Sequence, residues 1–337
     1  MRIDAYTHFM PRKFYERLVE SGAGDIGKRM RSIPAIYDLD HRRGVVEKYD
    51  DYAQIISYPM PPLEVLAKSP EQLEEYCKVV NDGFAEICAK YPRHFPGWVA
   101  QVSPMAPDAG VREIERALKM GALGVQIYTN LAGRPLDEPA FEPFFAAMEK
   151  SGKPIWLHPA RAANFPDYLS EKKSKYEIWW AFGWSYETAA AMARLVFSGI
   201  MDKYPGLKII VHHFGGIVPM LEGRIGPGWD VLGERTSDEN YGAVLKGLKK
   251  RPLAYFKHSF WADTATFTAA PAMRAGFDFY DFDKIVFASD CPFDPERGTT
   301  YIRETIRILD DMKLPADKRA AIDHGNLEKL IGKTFAK

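Results

Sequence analysis

RIDAYTHFMP, residues 2–11, ends the first apolar segment of the chain in Tyr6, Thr7 and His8. Alternation along a strand puts Tyr6 and His8 on one side, so two ligand-capable side chains are aimed together from a strand's carboxyl end. Further apolar runs repeat the plan: AQIISY ending at Tyr58, GWVAQV at Val102, LGVQIY at Tyr128, PIWLH at His158, KIIVHH at His213, AYFKHSF at Phe260 and KIVFASD at Asp290. Near-continuous apolar runs suit parallel strands covered on both faces. Polar residues gather at their carboxyl ends: Tyr6 and His8 on the first, His158 on the fifth, His213 on the sixth and Asp290 on the eighth.

Helix-period segments separate these runs. Ser69, Pro70 and Gln72 form a capped helix start, and Leu73, Tyr76, Cys77, Val80, Phe84, Ile87 and Cys88 then repeat at helical spacing. Three more helices, near 108–120, 138–150 and 186–197, are stopped by Gly121, Gly152 and Gly199. Eight strands alternating with helices place the chain in the α/β class as a (β/α)8 TIM barrel rather than a doubly wound sheet. No linker divides residues 1–337, which read as one barrel domain. The connection at 11–50, with RKFYERLVE and the charged DLDHRR, reads as a small helical insertion capping the barrel mouth. A second long connection, 160–185, carries Trp179, Trp180 and Trp184, which suit either a substrate site or a subunit contact.

Lys+Arg and Asp+Glu are both 45, so the formal net charge is zero. That removes the electrostatic case for nucleic acid or an anionic membrane as partner and leaves small molecules or copies of the chain. No apolar run approaches the roughly 18 residues of a membrane span, and the opening segment lacks the basic and apolar regions of a secretory signal. Cys77, Cys88 and Cys291 are odd in number without CxxC spacing, which suits a reducing, cytoplasmic setting. Cys291 has no base partner in the sequence and reads as a structural thiol.

A barrel brings its strand ends together, so His8, His158 and Asp290 converge as two imidazoles and a carboxylate. This mixed nitrogen and oxygen set suits Zn²⁺, Mn²⁺ or Fe²⁺, with positions left for water or substrate. Around it, Arg161 offers a planar fork for a substrate carboxylate, Tyr128 and Trp184 offer rings to stack on, and Lys257 lies near the expected end of the seventh strand. A salt bridge accounts equally for Arg161, core packing for Tyr128 and Trp184, and a helix-facing position for Lys257.

DAYTHFMP resembles the D-x-H-x-H opening of the amidohydrolase superfamily. GALGVQI from Gly121, PIWLHPA from Pro154, YPGLKIIVHHFGG from Tyr204, LEGRI from Leu221 and FASDCPF from Phe287 resemble, in order, the branch holding aminocarboxymuconate semialdehyde, resorcylate and carboxyvanillate decarboxylases. The resemblance implies a strand-one ligand pair at Tyr6 and His8, further ligands at His158 and Asp290, and catalytic roles for His213 and Asp290. His213 rather than His212 stands at the family's distance before Gly215, Gly216 and Pro219, and alternation would turn His212 outward or into a packing layer. Tyr6 departs from the family's usual His or Glu. Three readings stand for it: a phenolate ligand, a protonated donor to substrate or to water on the metal, or a filler in a metal-free site. The implied activity is metal-dependent, non-oxidative decarboxylation of a small aromatic or unsaturated carboxylate, with zinc ahead of manganese or iron. A hydrolase or hydratase activating water at the same site, and a non-catalytic ligand-binding barrel, are the alternatives. Relatives of this kind are often dimers, which implies a homodimer or higher homo-oligomer.

Overall fold

The apolar runs become short parallel strands because helices cover one face and the barrel interior the other. The computed structural model describes residues 1–20 and 24–335, with backbone alone for 24–27. Its barrel strands are Arg2–His8, Tyr52–Ser57, Gly97–Trp98 continued by Ala100–Gln101, Val125–Tyr128, Ile155–His158, Ile209–Val211, Phe260–Asp263 and Ile285–Val286. Neighbours pair in parallel and in chain order. Backbone bonds close the ring between the eighth and first strands: Ala5 N donates to Phe287 O (2.8 Å) and His8 N to Cys291 O (2.8 Å). The chain is an α/β TIM barrel, and every strand's carboxyl end reaches one face.

The expected helices are present as Pro70–Lys90, Pro107–Lys119, Glu142–Ser151 and Gly183–Phe197. Ser69 Oγ accepts from Gln72 N at 3.3 Å, which caps the first of these. Inside the barrel, Ile3, Ala5, Ile55, Val99, Trp156 and Ile210 pack with Leu327 and Leu330 of the last helix, Asn326–Ile331. Lys153 and Lys208, just before the fifth and sixth strands, donate to Ile331 O (2.8 Å) and Leu330 O (3.4 Å). That helix therefore plugs the amino end and leaves the carboxyl end open for chemistry. No described helix is long and apolar enough to cross a membrane.

The insertion after the first strand contains helices Arg12–Glu20, Gly24–Arg31 and Leu39–Val46; its residues 21–23 lie outside the described residues. Arg42, from the charged DLDHRR, is fully buried. Its guanidinium donates to Gln54 Oε1 (2.7 Å), His8 O (3.0 Å), Ala35 O (3.2 Å) and Cys291 O (3.4 Å). One side chain thus ties the insertion to the ends of the first and eighth strands, the two that carry His8 and Asp290.

The seventh strand differs from the sequence reading. AYFKHSF is mostly the helix Pro252–His258, begun by Pro252 in its first turn, and the strand is Phe260–Asp263. Lys257 therefore sits before the strand's amino end, paired with Glu222 at 2.8 Å, and His258 pairs with Asp281. Neither reaches the mouth. The buried residue at the seventh strand's carboxyl end is Asp263.

Candidate metal centre and active site

A register shift between Asp4 and Thr7 interrupts the pairing of the first strand with the second. Bulges of this kind re-aim side chains. Within and just beyond it, the Tyr6 and His8 rings lie 5.3 Å apart and both face the cluster. Beneath them Asp4, fully buried, accepts from Tyr52 Oη, Ser289 Oγ and Ser289 N. This fixes the backbone beside Asp290, itself in the left-handed region at φ 63.

His8 and His158 are held in one tautomer. His8 Nδ1 faces Tyr58 O at 3.3 Å and Ser57 Oγ at 3.1 Å, and Ser57 Oγ already donates to Thr7 O. His158 Nδ1 faces Pro159 O at 2.7 Å. A carbonyl oxygen only accepts, so each Nδ1 carries the proton and each Nε2 presents a lone pair. Burial lowers the pKa of both imidazoles, most strongly at His158, where the charges of His8 and His212 add to it. Neutral imidazoles with Nδ1 tied to carbonyls are the form that binds metal.

Asp290 faces these nitrogens. Its Oδ1 lies 3.0 Å from His8 Nε2, which nonetheless has no aligned hydrogen-bond partner, and 3.4 Å from His212 Nε2. Two ligands each about 2.1 Å from one cation stand about 3.0–3.4 Å apart at octahedral or tetrahedral angles. Lone pair facing carboxylate at that separation is repulsive without a cation between them, so the donor set fits a divalent ion. Burial opposes ionisation of Asp290, but the neighbouring His212 imidazole outweighs it and the carboxyl stays well below its usual range.

The sixth strand ends at Val211, not at His213. A turn follows, with His213 at φ 56 and Phe214 at φ 51, and strand alternation no longer applies. His212 is accordingly neither outward nor in a packing layer, as alternation through His213 would require. It is fully buried inside the cluster, with its ring 3.6 Å from that of His213. Gly216 permits the tight return: a Cβ there would come within 2.5 Å of Ser185 O. His212 Nδ1 lies 2.6 Å from Asp263 Oδ2, and His213 N donates to Asp263 Oδ1 at 3.0 Å. Burial alone would lower the His212 pKa, but the Asp263 and Asp290 carboxylates raise it to about 9. His213 gives Nδ1–H to Ala265 O (2.7 Å), and burial together with the His212 charge lowers its pKa to about 4. Among the described residues, the ligand atoms of His8, His158 and His212 lie within 4.8 Å of one another, as do those of His212, His213 and Asp290.

Tyr6 packs its ring 4.0 Å from that of His212, and its hydroxyl is buried without a hydrogen-bond partner. Burial first, then the Asp263 and Asp290 charges, push its ionisation well above the ordinary phenol range. Tyr128 is fully buried, donates to Pro59 O at 2.6 Å and sets its ring 5.4 Å from that of His158. Trp184 lies 5.5 Å from the His158 ring on another side and donates to Arg161 O. Arg161 pairs with Glu187 at 2.7 Å through one arm of its guanidinium, the salt-bridge alternative. Phe293, 5.5 Å from the His8 ring, and Phe267, 4.5 Å from the His213 ring, complete an aromatic rim. Cys291 is buried, its thiol pushed up to about 12 by burial, which leaves it inert. Sequence reasoning misses Asp263, His212 and Arg42. The signal for Asp263 is a lone acid closing the apolar FWAD.

The family model for the amidohydrolases matches residues 3–333. The gamma-resorcylate decarboxylase of Polaromonas sp. is 28% identical over 273 residues, 76% of this chain and 77% of the relative. The 6-methylsalicylic acid decarboxylase of Penicillium expansum is 26% identical over 331 residues, 96% of this chain and 94% of the relative. Among solved structures, 5-carboxyvanillate decarboxylase from Novosphingobium aromaticivorans, complexed with manganese and 4-hydroxy-3-methoxy-5-nitrobenzoic acid, superposes with a TM-score of 0.81 at 26% identity. That likeness covers 98% of this chain and 96% of the other.

Proposed function

The chain belongs to the amidohydrolase family, and on that footing we propose that it is a metal-dependent decarboxylase of a small aromatic or unsaturated carboxylate, a hydroxylated benzoate being the form the site suits best. The observation that carries this reading is the convergence of His8 Nε2 and Asp290 Oδ1, 3.0 Å apart without an aligned hydrogen bond, beside His158 under an aromatic rim. We assign the divalent ion to His8, His158 and Asp290. The nitrogen and oxygen set accepts zinc or manganese, and the manganese held by the similar carboxyvanillate decarboxylase supports manganese at least equally. When bound, the ion supplies Lewis-acid polarisation of substrate oxygens.

The chain's own residues account for the proton. Asp290 is ionised at rest, so it first accepts the proton of the substrate hydroxyl and then delivers it to the ring carbon bearing the carboxylate. The C–C bond breaks, carbon dioxide leaves, its bonding pair restores the aromatic ring, and the product phenolate takes a proton from solvent. His213, neutral with Nδ1 on Ala265 O and its ring half-buried beside Phe267 of the rim, relays protons between Asp290 and the mouth. Tyr6 serves as a protonated phenol rather than a phenolate ligand. Trp184 and Tyr128 bound the ring, and carboxylate recognition falls to the cation because Arg161 is neutralised by Glu187. Arg29 of the insertion donates to Phe293 O at 2.7 Å, which supports reading 11–50 as a cap at the mouth within one barrel domain. Exposed Tyr168, Leu169, Tyr176 and Phe182 on the Trp-rich connection, with Tyr186 just after it, support a homo-oligomer, and three free cysteines support a cytoplasmic setting.

The test is carbon dioxide release from a panel of hydroxybenzoates and diene acids by manganese-loaded protein, with and without chelator. We expect release that stops on chelation and returns with metal. Inertness across the panel, or solvent oxygen-18 in the product, contradicts decarboxylation, the latter in favour of hydrolysis or hydration.

A further inference from the structure

We infer, resting on the metal site proposed above, that the third imidazole ligand of that centre is His212, delivered by the turn after the sixth strand, and that Tyr6 is the wall against which this ligand rests. The ligand atoms of His8, His158 and His212 lie within 4.8 Å of one another. Each ring has its Nδ1 against an oxygen acceptor: Tyr58 O at 3.3 Å, Pro159 O at 2.7 Å and Asp263 Oδ2 at 2.6 Å. A second ring nitrogen anchored in this way is the usual outer support of a metal-bound histidine. The remaining nitrogens of His8 and His212 approach the same Asp290 oxygen, at 3.0 and 3.4 Å, so a cation seated there takes the place of the proton that His212 otherwise holds toward Asp290.

The backbone points the same way. Left-handed conformations at two consecutive non-glycine residues, His213 and Phe214, are unfavourable and persist only where the surroundings enforce them. Here they end strand alternation at Val211 and turn both imidazoles inward, stacked at 3.6 Å. The two rings then divide the work. His212, fully buried, has His158 and His8 as ring neighbours at 5.6 and 5.9 Å; His213, half-buried, has Phe267 of the rim at 4.5 Å. Tyr6 packs at 4.0 Å and an interplanar angle of 32° from His212, buttressing its ring.

The full chain, labelled with ¹⁵N-histidine and loaded with Mn²⁺, is to be measured by electron–nuclear double resonance, which counts coordinated imidazole nitrogens. Three are expected in the unmodified protein, two in His212→Gln with Mn²⁺ affinity down by about 100-fold or more, and three in Tyr6→Phe. Two imidazoles in the unmodified protein, unchanged by His212→Gln, overturn the inference while leaving the metal site intact. Absence of any bound Mn²⁺ overturns the metal site itself and this inference with it. Should His212→Gln fail to fold, His213→Gln decides: three imidazoles retained uphold His212, and two assign the third position to His213 and overturn the inference.

Discussion

Replacing His158 with alanine is expected to strip the protein of stoichiometric metal on dialysis and to lower kcat/KM by about 10³-fold or more. The fifth strand delivers His158 with Nδ1 fixed on Pro159 O at 2.7 Å, so the energy of orienting its Nε2 is already met by the backbone. Removal leaves the remaining ligands to hold a cation with one imidazole fewer. Lewis-acid stabilisation is worth several kcal/mol, and about 4 kcal/mol corresponds to a thousandfold in rate. Metal content by elemental analysis and steady-state kinetics on the folded variant check this together. Stoichiometric metal with a rate within tenfold of the unmodified enzyme would remove His158 from the centre.

Asp290→Asn separates the carboxylate's two duties. Asparagine keeps the shape but loses the charge that faces His8 and His212, so metal affinity falls; excess metal refills the site. The rate is not expected to follow. An amide does not accept the proton that Asp290 must carry to the ring carbon, and positioned acid–base groups contribute about 10²–10⁴-fold. We therefore expect kcat to remain depressed by about 10³-fold at saturating metal. Recovery of kcat on adding metal would make Asp290 a ligand alone and pass proton transfer to His213.

The barrel is legible in the sequence because parallel strands buried on both faces leave apolar runs, and because Gly152 and similar glycines mark where helices stop. The metal site is legible in part for the same reason: His8 and His158 close regular strands, where position along the chain maps directly onto the barrel mouth. The rest depends on contacts distant in sequence. Alternation assigns His212 to a packing layer, but the strand ends at Val211 and the turn through His213 and Phe214 sends it inward. AYFKHSF reads as a strand by composition, yet Pro252 opens a helix whose buried residues Tyr255 and Phe256 face the core. Asp263, at the carboxyl end of the strand that follows this helix, is hidden by the same misreading. Arg42 lies in a charged string that looks solvent-facing; the meeting of Gln54 Oε1 with the His8, Ala35 and Cys291 carbonyls makes burial tolerable. Tyr6 is visible as a departure from the family pattern, but its role rests on the ring of His212, far away along the chain.

Crystals of the manganese-loaded protein, with data collected on either side of the manganese edge, test the metal centre most directly. An anomalous peak about 2.0–2.2 Å from His8 Nε2, His158 Nε2 and Asp290 Oδ1 is the expected result. A saturated preparation with no peak among these three groups, or with its only peak elsewhere on the molecule, would contradict the metal-dependent enzyme described above.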